Sequence, residues 1–199
     1  MNPSRGAKLS LQLVGWAYEG PIPPEKKYVA LAVPHTSNRD AVLLVLLTRS
    51  IGLEMDWMIK DTWTKGPMGV LLRRYGAMGI DRSHSKNVVD QMIAQFAARD
   101  ELVLGIPPEG TRGRAEHWKS GFYHIALGAK VPVVPGYLDF GRKRAGLGPA
   151  IMMTGDVRKD MDALRAFYAE KNPTAYAPRD FGPIRLREES VAISGPPRA

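Results

Sequence analysis

Short apolar runs alternate with longer stretches of helical periodicity along most of this sequence. The apolar runs have lengths typical of buried strands, and they span residues 28–33, 54–59, 76–80, 101–106, 131–140 and 148–155. The helical stretches span residues 39–50, 67–75, 86–99, 120–129 and 157–170. Strands that alternate with helices form a parallel sheet, because each helix returns the chain across one face of the sheet. The alternation therefore predicts an α/β fold in which a mostly parallel central sheet is flanked by helices on both faces.

A chain of 199 residues is long enough for one well-buried core and short for two, so we expect a single domain. A Pro-rich segment at 18–27 separates an N-terminal arm, residues 1–27, from the body of the fold, residues 28–170. Residues 171–199 are rich in turn-forming residues, and we expect them to form a C-terminal tail packed on the domain.

The absence of cysteine restricts the chemistry that this chain can perform. With no cysteine in the sequence, disulfides, thiolate nucleophiles and Cys-based zinc sites are excluded. The histidines lack the spacing of metal ligands, so we expect no metal site. Any catalysis must therefore use histidine, carboxylates, hydroxyls, lysine or arginine.

The segment HTSNRD, which follows the first predicted strand, places His35 five residues before Asp40. Within one helix, five residues turn the chain by about 500°, which would leave the two side chains pointing about 140° apart. However, PHTSN favours a helix N-cap, so we expect the helix to begin at Ser37 or Asn38, with His35 in the preceding loop. The imidazole can then fold back towards the carboxylate and act as a general base. Alternatively, His35 is an ordinary loop residue and Asp40 an acid that stabilises the first helical turn.

Two further loops carry groups that suit an anion. In the loop after the strand at 101–106, Gly110 allows close approach of a ligand, Thr111 offers a hydroxyl, and Arg112 can bind phosphate in a bidentate manner. Glu109 is a poor phosphate ligand, and we expect it to orient an arginine or a backbone amide. Arg82 follows the strand at 76–80 and is also placed for an anion. The alternatives are an ordinary glycine turn and solvated loop charges.

Four blocks, in this order, make the sequence resemble the glycerolipid acyltransferases, the superfamily of 1-acylglycerol-3-phosphate acyltransferases. The blocks are HTSNRD, GAMGIDR, PPEGTR and VPVVPG. The resemblance implies that residues 28–170 form the acyltransferase domain, that His35 is the general base and that Asp40 orients it. It also implies that the phosphate-bearing acceptor binds in a pocket shaped by Arg82, Glu109, Gly110, Thr111 and Arg112.

The activity implied by the resemblance is transfer of a fatty acyl group in phospholipid biosynthesis. The donor would be acyl-CoA or acyl carrier protein, and the acceptor a lysophospholipid such as 1-acylglycerol-3-phosphate. No serine lies in a G-x-S-x-G context, so we expect direct transfer to the substrate hydroxyl, without an acyl-enzyme and without a cofactor. The same base could instead activate water, which would make the protein an acyl-thioester hydrolase.

The charge of the chain favours an anionic partner. The net charge is +8, which suits nucleic acid, an acidic membrane surface or phosphorylated molecules. A basic nucleic-acid-binding protein is the competing hypothesis, but no helix-turn-helix, zinc or aromatic-platform signature is present, so we expect no nucleic acid. The longest apolar run, AVLLVLL, is far shorter than the roughly 20 residues of a membrane span. We therefore expect a cytoplasmic protein in peripheral contact with the anionic cytoplasmic face of a membrane.

Overall fold

The computed structural model describes residues 2–80 and 85–191. Within these residues the strands are β1 (Ala17–Glu19), β2 (Lys27–Val33), β3 (Asp56–Lys60), β4 (Ala77–Ile80), β5 (Leu102–Ile106), β6 (Val133–Asp139) and β7 (Arg144–Leu147). The helices are α1 (Arg5–Leu13), α2 (Asn38–Ser50), α3 (Gly66–Arg74), α4 (Ser85–Ala98), α5 (Gly121–Ala129), α6 (Val157–Lys171) and α7 (Glu188–Val191). Short 3₁₀ helices span Asp61–Thr64 and Pro178–Asp180.

The described strands form one sheet in the order β1-β7-β6-β2-β5-β3-β4. All neighbouring strands run parallel except β6 and β7. In the centre of the sheet, Val29 of β2 lies opposite Leu104 of β5 on one side and Val133 of β6 on the other. The predicted α/β architecture with a mostly parallel sheet is therefore confirmed.

Side chains of the central strands alternate between the two faces of the sheet, as a pleated strand requires. Val29 and Leu31 of β2 belong to the main core, together with apolar residues of α4, α5 and α6. Tyr28 and Ala30 of β2 belong to a separate cluster, and α1 and α2 form a third cluster that includes Leu138 of β6. Helices therefore cover both faces of the sheet, as predicted.

One predicted strand is wrong and two strands were missed. Residues 148–155 do not form a strand: within them Ile151 makes a single isolated bridge to Val133, and Pro149 has no N–H to donate to a ladder. The missed strands, β1 and β7, contain three and four residues. Neither has an apolar run of its own: β1 lies at the sheet edge and pairs with β7, and β7 lies between β1 and β6.

The two ends of the described chain pack on the body of the fold. In the N-terminal segment, α1 packs against α2 and β1 pairs with β7. In the C-terminal segment, Leu186 forms a bridge with Trp118, and Glu189 pairs with Arg165 at 2.7 Å. The division into an arm, a domain and a tail at residues 27 and 170 stays a prediction, although both end segments contact the residues between them.

Candidate active site

The loops that carry the predicted site residues meet at one edge of the sheet. β2 ends at Val33, and β5, its parallel neighbour, ends at Ile106. Because parallel strands end at the same edge, the loop that contains His35 lies beside the loop that contains Glu109. Ligand sites of open α/β sheets form at this edge.

The start of α2 is fixed by a capping box around Asp40. Ser37 is the N-cap, and its hydroxyl oxygen accepts the N–H of Arg39 at 3.1 Å. Asp40 accepts the backbone N–H groups of Thr36 and Ser37 at 2.7 and 2.8 Å, and the hydroxyl of Ser37 at 2.8 Å. The prediction that this helix begins at Ser37 or Asn38 is confirmed. Reciprocal capping therefore holds the buried carboxylate in one position.

His35 precedes the helix, and its ring turns back to Asp40. Nδ1 of the imidazole lies 3.5 Å from Oδ2 of the carboxylate, and the His35 side chain is 17% exposed. Burial lowers the pKa of His35, the Asp40 carboxylate opposes this shift, and the nearby Arg112 guanidinium lowers the pKa further. With its pKa below the ordinary value, the imidazole is neutral at neutral pH and can accept a proton.

Glu109 connects the two loops. Its Oε1 accepts the backbone N–H of His35 at 3.0 Å, which is one of the two roles expected for it from the sequence. Its Oε2 is buried and has no hydrogen-bond partner among the described residues. Burial raises the pKa of Glu109 to about 7, although the hydrogen bond from the His35 backbone opposes the shift. Glu109 therefore fixes the backbone of His35, although burial of its carboxyl group removes that group from water.

The pKa of Glu109 predicts how stability depends on pH. The folded state holds the Glu109 proton up to about pH 7, whereas the unfolded state releases it near its ordinary pKa of 4.5. Between these values the folded state binds more protons, so the Glu109 contribution to the free energy of unfolding falls by about 3 kcal/mol as pH rises. Glu109→Gln stays neutral and should lose this part of the decline in urea unfolding measured across that range. An equal decline in both proteins would contradict the assignment.

The turn after Glu109 exposes an arginine beside the imidazole. Gly110 has φ of 66°, a left-handed conformation, and a Cβ there would lie 2.9 Å from Cγ of Lys119. Thr111 and Arg112 are exposed, and the Thr111 hydroxyl oxygen accepts the N–H of Gly113 at 3.3 Å. No described residue forms an ion pair or hydrogen bond with Arg112, so its guanidinium is available to an anion near His35.

The structure thus brings His35, Asp40, Glu109 and Arg112 together, with Gly110 and Thr111 adjoining them. Arg82, the remaining predicted site residue, lies outside the described residues.

A polar cleft of about 430 Å³ borders Glu109, Gly110 and Thr111. Lys119 and Arg187, neither of them predicted from the sequence, also line this cleft. Lys119 lies ten residues after Glu109 and just before α5, so its charge close to the predicted loop was an available signal. Arg187 reaches the cleft because its neighbour Leu186 forms a bridge with Trp118. No local sequence pattern predicts a contact between segments so far apart.

A second contact from the C-terminal segment was also missed. The backbone N–H of Ala177 donates to the hydroxyl oxygen of Thr36 at 3.2 Å, in the loop that holds His35. The Arg39 guanidinium lies 4.8 Å from the centre of the Tyr176 ring. The segment around residues 176–177 therefore packs on the first turn of α2, next to the imidazole.

An apolar cavity lies between α2 and the sheet. Its walls include Val33, two residues before His35, together with Leu44 and Leu47 of α2. Gly136 and Gly146 also line the cavity, so the sheet presents little side-chain bulk there. The lining is apolar, and the cavity volume of about 40 Å³ is small compared with that of the polar cleft.

Among the described residues, no group of histidine, aspartate and glutamate side chains is arranged to hold a metal ion. In the same part of the chain, no helix combines the length and the hydropathy that a transmembrane span requires.

Comparison with known proteins places this geometry in context. Residues 18–139 match the family model described as Acyltransferase. The 1-acyl-sn-glycerol-3-phosphate acyltransferase alpha of Homo sapiens is 29% identical over 133 residues, which cover 61% of this chain and 45% of that protein. The 1-acyl-sn-glycerol-3-phosphate acyltransferase of Haemophilus influenzae is 29% identical over 134 residues, which cover 62% and 54%. The chain thus spans about half the length of these relatives.

A solved structure has a similar fold. The crystal structure of the 1-acyl-sn-glycerophosphate acyltransferase PlsC from Thermotoga maritima matches with a TM-score of 0.60 at 16% sequence identity. The match covers 83% of this chain and 76% of that chain. At this identity the likeness shows a shared fold.

Proposed function

The chain belongs to the Acyltransferase family, and from this premise we propose that it transfers a fatty acyl group from a thioester to a hydroxyl of a lysophospholipid-type acceptor such as 1-acylglycerol-3-phosphate. The observation that carries the proposal is the approach of the His35 ring to the Asp40 carboxylate, 3.5 Å apart. The exposed Arg112 lies beside the same ring, where it lowers the pKa of His35. The names of the relatives support the choice of acceptor.

His35 acts as the general base in this proposal. Nδ1 faces Asp40, so Nε2 takes the proton of the acceptor hydroxyl as the oxygen attacks the thioester carbonyl. Asp40 stabilises the imidazolium that results. The carbon–sulfur bond then breaks, and the imidazolium returns the proton to the leaving thiolate. Transfer is direct because the chain has no cysteine, and the Ser37 hydroxyl beside the dyad is already donated to Asp40.

The acceptor phosphate binds at the turn formed by Gly110, Thr111 and Arg112, with Arg82 completing the cradle as the resemblance implies. Gly110 exposes its backbone because it has no side chain, and the Arg112 fork matches phosphate geometry. The polar cleft next to this turn has room for the remainder of a headgroup.

The donor in this proposal is acyl-CoA or acyl carrier protein. Both are anionic, and the net charge of +8 attracts either of them. The reaction needs no cofactor or metal, because the dyad supplies the base and the cations supply the anion site. The protein works at the cytoplasmic face of a membrane in peripheral contact with anionic lipid, since its acceptor is an amphiphile.

Arg112→Ala should weaken the use of acceptor. A charge-assisted contact contributes about 1.5–3 kcal/mol, so kcat/KM for the acceptor should fall by about 10- to 100-fold, mainly through KM. Steady-state kinetics at varied acceptor concentration measure this effect. Arg114→Ala is the matched control, because Arg114 is occupied by Glu116 at 3.5 Å and by the carbonyl of Phe181 at 3.1 Å. An unchanged acceptor dependence in Arg112→Ala would remove Arg112 from the pocket.

The acceptor class can be tested with the purified protein. Labelled acyl-CoA is incubated with a panel of lysolipids that differ in headgroup, and the products are identified by mass spectrometry. The proposal predicts acylation of acceptors that carry a phosphate monoester in preference to neutral acceptors. Equal acylation of acceptors without phosphate would contradict the assignment of the cationic turn.

A further inference from the structure

The connections between strands place three helices on the same side of the sheet. The chain moves from β2 through α2 to β3 and through α3 to β4 in one direction, and returns through α4 and α5 in the opposite direction. Because such crossovers are right-handed, α2 and α3 lie on one face and α4 and α5 on the other. α1 packs against α2 and therefore lies on the same side as α3. We refer to α1, α2, α3 and the 3₁₀ helix Asp61–Thr64 as the α1–α3 face.

This face exposes large apolar side chains to an unusual degree. Leu13 is 80% exposed, Val42 62%, Trp63 61%, Met68 58%, Val70 62% and Leu71 50%. Single exposed apolar residues are normal on soluble proteins, but four of these six lie within nine residues of the chain. Apolar surface concentrated in this way marks a site of association.

Contacts through Arg49 join the ends of these helices into one surface. The backbone carbonyl of Arg49 accepts the N–H of Ser4, the N-cap of α1, at 2.8 Å. The Arg49 guanidinium donates to the carbonyl of Arg74 at 3.1 Å and lies 4.2 Å from the centre of the Tyr75 ring. α1, α2 and α3 are therefore neighbours, and their exposed side chains belong to a continuous face.

The charges of the face have one sign. It exposes the cations of Arg5, Lys8, Arg73 and Arg74, and also Lys65, which pairs with Asp61. The two acids in its elements are neutralised or buried. Asp40 is 2% exposed within the capping box, and Asp61 accepts from Lys65 at 3.1 Å. Apolar side chains interspersed with cations complement an anionic lipid bilayer, in which the former enter the acyl boundary and the latter meet the headgroups.

The same charges disfavour other occupants. A second copy of the chain would present the same cations, and like charges repel across an interface. Nucleic acid would be bound by the cations but would leave the apolar side chains in water. A bilayer satisfies both features.

We propose that the α1–α3 face docks on an anionic lipid bilayer. In this orientation α2 lies between the membrane and the apolar cavity, and His35, at the start of α2, is close to the bilayer surface. This orientation would let an amphiphilic acceptor reach the imidazole without leaving the membrane, a consequence that rests on the proposed function. The docking of the face on lipid does not depend on the proposed function.

The test is sedimentation of the purified protein with sucrose-loaded vesicles. Vesicles of phosphatidylcholine mixed with phosphatidylglycerol should bind the protein, and vesicles of phosphatidylcholine alone should bind it several-fold less. Met68→Ser/Val70→Ser/Leu71→Ser should lower the partition coefficient at least about tenfold. Lys8→Gln/Arg74→Gln should lower it about fivefold or more on the anionic vesicles.

Matched controls change the same chemistry elsewhere on the molecule. Leu127→Ser/Met152→Ser removes two exposed apolar residues, and Lys130→Gln/Lys159→Gln removes two exposed cations, outside the α1–α3 face. Both should partition like the wild type. An independent readout is tryptophan emission, which should shift to shorter wavelength on vesicle binding. Trp63→Phe should lose most of this shift, because Trp63 is 61% exposed, whereas Trp16 and Trp118 are buried and Trp57 is half-buried.

Docking is refuted if the wild type does not bind anionic vesicles, or if the face variants bind them as the wild type does. If the wild type self-associates and does not bind vesicles, and the triple variant no longer self-associates, the occupant of the face is a second copy of the chain. His35→Ala separates docking from catalysis: it should bind vesicles fully and transfer no acyl group. Vesicle binding without acyl transfer by the wild type would count against the proposed function and leave the docking surface standing.

Discussion

Replacing His35 with alanine should lower the rate of acyl transfer by about 100- to 10,000-fold, the range that a general base contributes. The variant should fold normally, because the backbone N–H that His35 donates to Glu109 remains in alanine and the side chain is not part of the apolar core. The rate is measured as thiol release from acyl-CoA in the presence of acceptor, and folding by circular dichroism during thermal unfolding.

The matched control for this variant is His124→Ala. His124 is exposed on α5, away from the dyad, and its loss should leave turnover within a few-fold of the wild type. Wild-type turnover in His35→Ala would remove the imidazole from the mechanism. A large loss in both variants would point to a general effect of histidine replacement.

Asp40→Asn should have the second largest effect, because it removes the charge that steadies the imidazolium while keeping a side chain of the same shape. We expect kcat to fall by about 100- to 10,000-fold. The pH profile should change as well. The Asp40 carboxylate raises the pKa of His35, so its loss lowers that pKa and moves the acid limb of kcat/KM to lower pH. A purely structural role for Asp40 would not move this limb.

Asp40→Asn changes both the stability of the fold and the rate of the reaction, and a control variant distinguishes the two effects. Asparagine retains an acceptor for the capping hydrogen bonds, so the free energy of unfolding should fall by about 1 kcal/mol from the lost charge at the helix start. Asp156→Asn is the matched control, because Asp156 is the N-cap of α6 and accepts the N–H of Lys159 at 3.1 Å. It should lose comparable stability and keep its turnover. Equal turnover in Asp40→Asn and Asp156→Asn would contradict the dyad.

The elements that could be predicted from sequence are those whose signals are local. The apolar run of β2 ends at the cap-forming residues before α2, so the start of the helix and the place of His35 follow from the chain itself. The parallel order of β2 and β5 follows from the alternation of strands and helices, and it brings Glu109 to the loop of His35.

The features that were missed depend on pairings that no apolar run indicates. β7 is only RAGL; it pairs with β6 after a tight turn in which Lys143 has φ of 54°, and on its other side with the distant strand β1. The hydrogen bond from Ala177 to Thr36 joins residues that are 141 positions apart. Arg187 reaches the polar cleft in the same way. No periodicity or motif encodes such pairings, since they arise only once the core has formed.

The central claim is that the acyl group passes directly from the thioester to the lipid alcohol, with His35 as the general base that takes the proton of the alcohol. The most direct measurement is rapid-quench analysis of thiol release and ester formation by the wild-type protein, with and without acceptor. The claim predicts no burst of thiol without acceptor, and equal amounts of thiol and acylated acceptor when acceptor is present. A stoichiometric burst without acceptor, or thiol release that yields only free fatty acid, would contradict it.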